Sequence, residues 1–304
     1  MKWNKLGLIA SPKQFNLDWW DSYGMDPCTL KLSSDLYRVF FCGRDKNNIS
    51  KIGYFDYDLK KHKVLKVSNK PVLTPGELGA FDDNGVTASC LLRFKNLIYL
   101  YYIGWKPKST TRYSLMTGLA ISKNNGQTFK RYSRSPILKL TDKEPFSILT
   151  APYVMRVKKN KWIMWYVSCN EWVHENYPKY DIKSAVSRDG KNWFQDGKSV
   201  IKLRNKERAI ARPSVLLENG LYKMWFCYEK KVGKYKIGYA DSKDAIKWKR
   251  NDKKSFISIG KTKIDNKMIA YPHVIKHNKL KYMFYNGNDY GKEGVCLAVE
   301  ENNK

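Results

Sequence analysis

Residues 212–227 read RPSVLLENGLYKMWFC, a short apolar run after a proline followed by an aromatic strand. The same two-part pattern returns five times along the 304 residues. Its first part follows a proline or serine, at Pro27, Ser89, Pro152, Pro213 and Pro272. Its second part is centred on Phe40, Tyr101, Trp165, Trp225 and Phe284, at spacings of 61, 64, 60 and 59 residues. A period this long, with several strands per unit, predicts a β-propeller with five blades.

A third and a fourth strand complete most repeats. The third strands begin at Lys51, Thr117, Ile182, Lys236 and Val295. Three of them end in similar turns followed by an aromatic residue: SKNNGQTF from Ser122, SRDGKNW from Ser187 and SKDAIKW from Ser242. Asn-Gly and Asp-Gly favour tight hairpins because these residues tolerate positive φ. Since no segment has an amphipathic-helix pattern, the prediction is an all-β chain of four-stranded units.

The two ends of the chain are predicted to share one blade. The fifth repeat stops near Glu300 without an outer strand, and Lys2-Trp3 at the start resembles Lys247-Trp248. Residues 3–10 are therefore expected to supply the missing strand and close the ring, which removes exposed sheet edges. The predicted organisation is one five-bladed domain over residues 1–304. Its blades span approximately 11–70, 71–135, 136–200, 201–255, and 256–300 plus 1–10.

Composition restricts the compartment and the cofactors. There is no apolar run of eighteen residues and no leader-like N-terminus, which predicts a cytoplasmic protein. The six cysteines include no CxxC pair, so buried reduced thiols are expected. No HExxH, phosphate loop or dinucleotide fingerprint occurs, and His273 and His277 lie about 13 Å apart along a strand. We expect no metal and no cofactor.

The formal net charge of +29 has two explanations. An excess of cations attracts polyanions such as nucleic acid, an anionic glycan or the acidic surface of a membrane. Alternatively, scattered lysine pairs among many Asn and Ile residues reflect genome composition, and this is the favoured explanation. No nucleic-acid-binding motif accompanies the charge. We therefore expect no specific nucleic-acid binding, allow peripheral contact with a membrane surface, and leave the oligomeric state open.

A small-molecule site is expected where loops enter the innermost strands at one mouth of the channel. Three carboxylates from different repeats approach that mouth, and they are the predicted catalytic residues: Asp26, Asp83 and Glu207. The predicted substrate-binding residues are Arg44, Arg212, Tyr271, Trp105, Trp172 and Tyr290. Paired carboxylates are what glycosyl chemistry requires, and aromatic rings stack on sugars. The alternatives are acids that cap turns, and Arg44, Arg208 and Arg212 in structural ion pairs with Asp83 or Glu207.

The phrases FDDNGVTAS, ERAIARPSV, YKIGYADSKD and YMFYNGNDYG make the chain resemble the five-bladed β-propeller glycosidase superfamily. That group includes arabinanases and xylosidases of glycoside hydrolase family 43, the invertase and levansucrase families 32 and 68, and the mannoside phosphorylases of family 130. The likeness covers the whole chain and is closest to glycosidase-like proteins of bacterial polysaccharide gene clusters. It implies that Asp26, in the motif MDP, is the catalytic base or nucleophile. The sequence departs from the family pattern at Ala88 and Ala151, where acids are expected.

The expected function is therefore a carbohydrate-active enzyme acting on a glycosidic bond in bacterial surface-glycan metabolism. Hydrolysis, glycosyl transfer and phosphorolysis stay open, and a cytoplasmic location favours a sugar-phosphate, nucleotide-sugar or lipid-linked substrate. The substrate is a carbohydrate, with an anionic group as one possibility. A sialidase-like enzyme is disfavoured because those proteins have six blades. The principal alternative is a non-catalytic propeller that binds or assembles glycans.

Overall fold

The computed structural model describes residues 2–301, so Met1 and residues 302–304 of the predicted domain lie outside the described range. The described chain is all-β, as the repeat predicted, with twenty strands and only short helical turns. The turns are α1 (Pro12–Phe15), a 3₁₀ turn (Asp252–Ser255) and α2 (Asn288–Gly291). None of the helices in residues 2–301 has the length and apolar character needed to cross a membrane.

Antiparallel pairing arranges the strands in five groups of four, and short parallel pairings join the three middle groups into one twelve-stranded sheet. Group 1 contains β2 (Ser22–Lys31), β3 (Leu36–Arg44), β4 (Ser50–Asp58) and β5 (Lys63–Val67). Group 2 contains β6 (Val86–Phe94), β7 (Leu97–Pro107), β8 (Tyr113–Ser122) and β9 (Lys130–Arg131). Group 3 contains β10 (Ile148–Lys158), β11 (Lys161–His174), β12 (Tyr177–Ser187) and β13 (Phe194–Ile201). Group 4 contains β14 (Ala209–Glu218), β15 (Leu221–Glu229), β16 (Lys236–Ser242) and β17 (Lys249–Arg250).

Group 5 joins the two ends of the described chain. It contains β18 (Ala270–His277), β19 (Leu280–Asn286), β20 (Val295–Glu300) and β1 (Trp3–Ala10). Strand β1 runs antiparallel to β20, from the pair Trp3–Glu300 to the pair Ala10–Val295. The predicted pairing of residues 3–10 with the last repeat is confirmed.

The first strand of each group contacts the first strand of the next group, and β18 of group 5 contacts β2 of group 1. Neighbouring groups bury a shared apolar layer. Phe40 of group 1, for example, packs in one cluster with Leu100 and Tyr102 of group 2. All six cysteines are buried free thiols, as expected. Aromatic residues dominate the layers because large rings fill the space between face-to-face sheets.

A buried acid fastens the segment that precedes the first strand in two of the groups. Asp82 accepts hydrogen bonds from Tyr102 Oη in the second strand and Arg131 Nε in the outer strand, each at 2.8 Å. Glu144 accepts from Tyr166 Oη at 2.8 Å and from Gln195 Nε2 at 3.0 Å. These acids therefore tie the connecting segment to both inner and outer parts of one group.

Groups 4 and 5 also have a buried acid before the first strand. Asp265 accepts from Tyr285 Oη at 3.0 Å and Lys5 Nζ at 2.6 Å. In group 4 the corresponding ring is Phe226, which has no hydroxyl, and Glu207 instead accepts two hydrogen bonds from Arg250 at 2.8 Å each. The acids that recur before the first strands are thus largely structural.

Trp3 tests the contribution of the N-terminal strand. Its ring is 6% exposed, meets Trp225 edge-on at 6.4 Å, and donates from Nε1 to Ser255 O at 2.9 Å. We expect Trp3→Ala to lower the free energy of unfolding by about 3–5 kcal/mol, because it opens a cavity between groups 4 and 5. Leu6→Ala, on the same strand but 37% exposed, should cost about 0.5 kcal/mol or less. Urea unfolding would measure both, and equal losses would contradict this role for β1.

Candidate functional site

A backbone kink interrupts four of the five first strands. Asp26, Ala151, Arg212 and Tyr271 have φ values of 55°, 48°, 59° and 54°, and each precedes a proline. Proline normally keeps the preceding residue extended, and left-handed φ costs about 1–3 kcal/mol. The strand register shifts at each of these positions. The repeat therefore contains a strained bulge that redirects one side chain per strand, and such strain clusters at functional sites.

Asp26 is the carboxylate of this layer. It is 7% exposed, and its Oδ1 lies 2.8 Å from Arg212 Nε. The contact is an ion pair without a well-directed hydrogen bond, since the Nε–H has no acceptor in line. Burial raises the pKa of Asp26 above its usual value, although the charges of Arg212 and Arg44 oppose the shift. The carboxyl therefore keeps its proton to a higher pH than an exposed aspartate does.

Arg212 connects three strand groups across the centre of the molecule. Its Nη1 donates to Ser89 O at 2.8 Å and to Ser89 Oγ at 2.6 Å. Its Nη2 donates to Asp26 O at 2.8 Å. Arg212 is 4% exposed, and all three nitrogens of its guanidinium contact protein atoms. Its role is therefore to position Asp26. Its expected role in binding substrate stays a prediction.

Asn286 holds the other side of the Asp26 backbone, and the sequence analysis did not select it. Its Oδ1 accepts the Asp26 N–H at 2.9 Å, and its Nδ2 donates to Gly24 O at 2.7 Å and to Gly294 O at 3.0 Å. Asn286 is fully buried. It ends the aromatic strand YMFYN, so a polar residue closing an otherwise apolar strand was the available signal.

Arg44 is the second cation near Asp26. It is half-buried, its guanidinium lies 4.4 Å from the centre of the Tyr23 ring, and its Nη1 donates to Asn48 at 2.8 Å. Its Nε is buried and has no hydrogen-bond partner within the described residues. Arg44 is therefore the more exposed of the two arginines, since Arg212 is only 4% exposed.

Half-buried aromatic rings lie beside the carboxylate. Tyr271 stacks on Tyr290 with 6.3 Å between ring centres and an interplanar angle of 23°. Burial, reinforced by the charge of Asp26, raises the pKa of Tyr271 well above its usual value. Trp172 meets Tyr113 edge-on at 5.8 Å and packs in the same apolar cluster. Tyr271, Tyr290 and Trp172 all pack against one apolar cluster, and we call these three rings the aromatic wall.

A buried ion pair lies close to Tyr290 of this wall. Arg208 donates from Nε to Glu229 Oε1 at 3.1 Å, and its guanidinium lies 5.5 Å from the centre of the Tyr180 ring. Burial raises the pKa of Glu229, and Arg208 opposes the shift. Arg208 therefore forms its ion pair with Glu229 and not with Asp83 or Glu207, the pairing that the alternative interpretation gave.

The other predicted site residues lie in different contacts. Glu207 is bound to Arg250, as described above, and accepts the Arg204 N–H at 2.8 Å. Asp83 pairs with Lys106 at 2.9 Å, and Trp105 is half-buried beside the same loop. Burial by itself would raise the pKa of Asp83, but Lys106 and the Gly79 N–H outweigh this effect and lower it. No contact joins Glu207 or Asp83 to Asp26 within residues 2–301, so their catalytic roles stay predictions.

His273 lies one layer below the kink, two residues beyond Tyr271. The Thr29 N–H donates to its Nε2 at 3.2 Å, and the Thr29 hydroxyl lies 3.0 Å from the same atom. Nε2 is therefore an acceptor and the ring is neutral. Burial, helped by the charge of Arg212, lowers the pKa of His273 to about 3. Among residues 2–301 there is no cluster of three or more His, Cys, Asp or Glu suited to a metal ion.

Solved structures with the same fold are described as carbohydrate enzymes. A structure described as a glycoside hydrolase is 18% identical with a TM-score of 0.77, covering 98% of this chain and 91% of its own. A glycosyl hydrolase from Bacteroides ovatus is 14% identical with a TM-score of 0.73, covering 94% and 86%. A structure from work on the GH130 family of mannoside phosphorylases, which contains hydrolases that target β-1,2 mannosidic linkages in Candida mannan, is 14% identical with a TM-score of 0.69, covering 94% and 86%. The chain therefore shares its fold with these solved structures.

Two full-length relatives come from Mycobacterium tuberculosis. Uncharacterized protein MT1551 of strain CDC 1551 / Oshkosh and uncharacterized protein Rv1502 of strain H37Rv are each 36% identical over 306 residues. The alignments cover 99% of this chain and all of each relative. The chain belongs to the same family as these two proteins. No protein-family model matches it.

The structural role of Glu207 can be compared with that of Asp83. We expect Glu207→Gln to destabilise the protein by about 1.5–3 kcal/mol, because Arg250 loses one of its two carboxylate partners and keeps Asp252. Asp83→Asn should cost less than about 1 kcal/mol, because its partner Lys106 is partly exposed. Chemical denaturation of both variants would check this. A Glu207→Gln protein as stable as Asp83→Asn would show that the Arg250 contact contributes little.

His273 predicts a dependence of stability on pH. Because its folded pKa is about 3 and its ordinary value is 6.5, the unfolded chain binds a proton that the folded protein does not. Stability from this group is complete above 6.5 and falls toward pH 3, by up to about 1.4 kcal/mol per pH unit. His273→Gln should reduce that slope in unfolding experiments between these pH values. His62→Gln, at an exposed turn, is the control and should leave the slope unchanged.

Proposed function

We propose that the protein is a carbohydrate-active enzyme that acts on a glycosidic bond, with Asp26 transferring the proton. One observation carries the proposal: a buried carboxyl with a raised pKa, held in a strained left-handed conformation from both sides. Arg212 holds the Asp26 carbonyl and Asn286 holds its N–H. Such backbone strain is typical of positions where a side chain is held in a functional geometry.

We also propose that the five strand groups are the blades of a single five-bladed propeller. The cyclic contacts between first strands and the pairing of β1 with β20 support this count. In that arrangement the kinked residues of the first strands surround the channel axis. Asp26, Arg212 and Tyr271 then share one layer near its mouth.

The surroundings of Asp26 favour reactions in which one carboxylate is sufficient. Glycosidases with paired carboxylates hold them about 5–5.5 Å or about 6.5–9.5 Å apart, whereas Asp83 and Glu207 are engaged with Lys106 and Arg250. In phosphorolysis, a phosphate oxygen attacks the anomeric carbon as the bond to the glycosidic oxygen breaks. Asp26 gives its proton to the departing oxygen. Arg44, a half-buried cation whose charge acts on Asp26, is the proposed phosphate ligand.

We place this reaction in the cytoplasm, in bacterial surface-glycan metabolism, with a sugar-phosphate, nucleotide-sugar or oligosaccharide substrate. The resemblance of the sequence phrases to the glycosidase superfamily and the carbohydrate enzymes among the structural neighbours support the substrate class. The aromatic wall of Tyr271, Tyr290 and Trp172 supplies flat apolar surfaces of the kind that bind sugar rings.

A second candidate is a non-catalytic propeller that binds or assembles glycans. The observation that favours it is the pairing of Asp26 with Arg212 and not with a second carboxylate. A binding module uses the aromatic wall and needs no proton transfer. The two candidates differ in whether Asp26 is required for turnover or only for structure.

The experiment begins with thermal-shift screening of the full chain against nucleotide sugars, sugar phosphates and oligosaccharides. Turnover of each hit is then measured with and without inorganic phosphate. Asp26→Asn keeps the shape of the side chain and removes its ionisation, so we expect turnover to fall by about 10²–10⁴-fold. Asp21→Asn, an exposed position on the same segment, is the matched control and should retain full activity.

The pH profile distinguishes the roles of Asp26. As a general acid it must carry its proton, so kcat/KM should fall as the pH rises through its raised pKa; a base gives the opposite slope. Asp26→Asn should lack this ionisation. If the variant turns over at the wild-type rate, Asp26 is not the proton-transferring group. If glycans bind but none is converted under any condition, the binding module replaces the enzyme.

A further inference from the structure

One end of the molecule, which we call the basal face, lies away from Asp26. It is formed by the hairpins 31–36, 94–97, 158–161, 218–221 and 277–280 and by the turns 58–63, 122–130, 187–194 and 242–249. Contacts join neighbouring hairpins. The Arg156 guanidinium lies 5.1 Å from the Phe94 ring centre, and His277 Nε2 lies 2.9 Å from Asp35 Oδ1. Asp26 is five residues from the end of β2, roughly 16 Å along the strand.

Two adjoining hollows in the basal face are strongly cationic. The first, of about 710 Å³, lies between the hairpins of groups 2 and 3, and the second, of about 680 Å³, adjoins it through Arg93. Six cations line them: Lys31, Arg38, Arg93, Lys95, Arg156 and Lys159. No carboxylate lines either hollow, although Asp56 neutralises Arg38 from below. The floor of the first hollow includes Phe94 and Met155.

The other acids of the basal face lie outside the lining of the two hollows. Asp58, Asp189 and Asp244 each accept two backbone N–H groups within their own turns. Glu218 lies 2.7 Å from Lys276 Nζ and also contacts Lys281. None of these carboxylates lines a hollow, so an approaching anion meets cations there, of which, within residues 2–301, only Arg38 is paired with an acid, Asp56.

Exposed apolar side chains lie on the part of the basal face that groups 3 and 4 form. Val186 and Phe194 form a cross-strand pair beside one turn and are 43% and 69% exposed. Ile246, in another turn, is 57% exposed, and Leu217, beside a hairpin, is 46% exposed. Apolar tips surrounded by Lys and Arg are typical of surfaces that sit at the headgroup boundary of a bilayer.

We propose that the basal face binds the surface of a bilayer that contains anionic lipids. Anionic headgroups are complementary to the two hollows, and the apolar tips gain free energy at the acyl boundary, which they would not gain on nucleic acid. Docking through this face leaves the Asp26 end open to solution. The inference does not rest on the proposed enzymatic function.

The experiment measures binding of the full chain to vesicles of phosphatidylcholine alone and of phosphatidylcholine with about a third phosphatidylglycerol. We expect co-sedimentation only with the anionic vesicles, weakened when salt rises from about 0.1 M to about 0.5 M. The triple variant Lys31→Glu/Lys95→Glu/Lys159→Glu should lose more than about tenfold in partitioning. A thermal melt confirms that this variant, altered only at exposed positions, is folded.

The matched control changes the net charge equally at the opposite end. Lys46→Glu/Lys108→Glu/Lys231→Glu alters three exposed lysines in loops between second and third strands, and it should keep most vesicle binding. Equal losses in the two triple variants would mean that net charge alone drives binding and would overturn the assignment to the basal face.

The apolar contribution has its own test. Phe194→Ser/Ile246→Ser leaves the charge unchanged and should weaken partitioning by at least about threefold through lost burial. No effect of this change, together with RNA binding as tight as vesicle binding in competition, would indicate a general polyanion surface and overturn the lipid proposal. Absence of binding to anionic vesicles at low salt would also overturn it.

Discussion

The contact of Arg212 with Asp26 and Ser89 is the interaction on which the centre of the molecule depends. One guanidinium joins first strands from groups 1, 2 and 4 that are 123 and 186 residues apart in the chain. Burying it would be costly without these partners, because a buried cation needs both an opposite charge and hydrogen-bond acceptors. The kinked backbone at Asp26 presents its carbonyl and carboxylate to the same cation, so strain and charge pairing stabilise each other.

A second set of buried charges fastens the periphery to this centre. In four groups an acid before the first strand reaches the second strand or the outer strand of the same group. In group 1, Trp20 packs on Phe41 with 4.3 Å between ring centres and takes the place of the acid. The acids near the first strands are therefore of two kinds. Four of them form a repeated structural contact, and one, Asp26, lies at the kink itself.

The distribution of charge separates the two ends of the molecule. Near Asp26 the cations Arg212 and Arg44 tune one carboxyl, and burial outweighs them in its pKa. At the basal face the cations line open hollows without acids. A net charge of +29 thus becomes informative only when the fold shows where it accumulates.

The sequence by itself determined the all-β class, the recurring strands and the pairing of residues 3–10 with the last repeat, since these follow from local hydrophobic pattern, turn chemistry and period. It also indicated Asp26, Arg212 and Tyr271, because each stands before a proline at the same offset. Only the tertiary structure showed which acids form structural ion pairs. Glu207 is 43 residues from its partner Arg250, and Asp82 is 49 residues from its partner Arg131. The tertiary structure alone identified Asn286, 260 residues from Asp26. Hydrogen bonds and ion pairs at such separations depend on how the sheets pack, which no local pattern records.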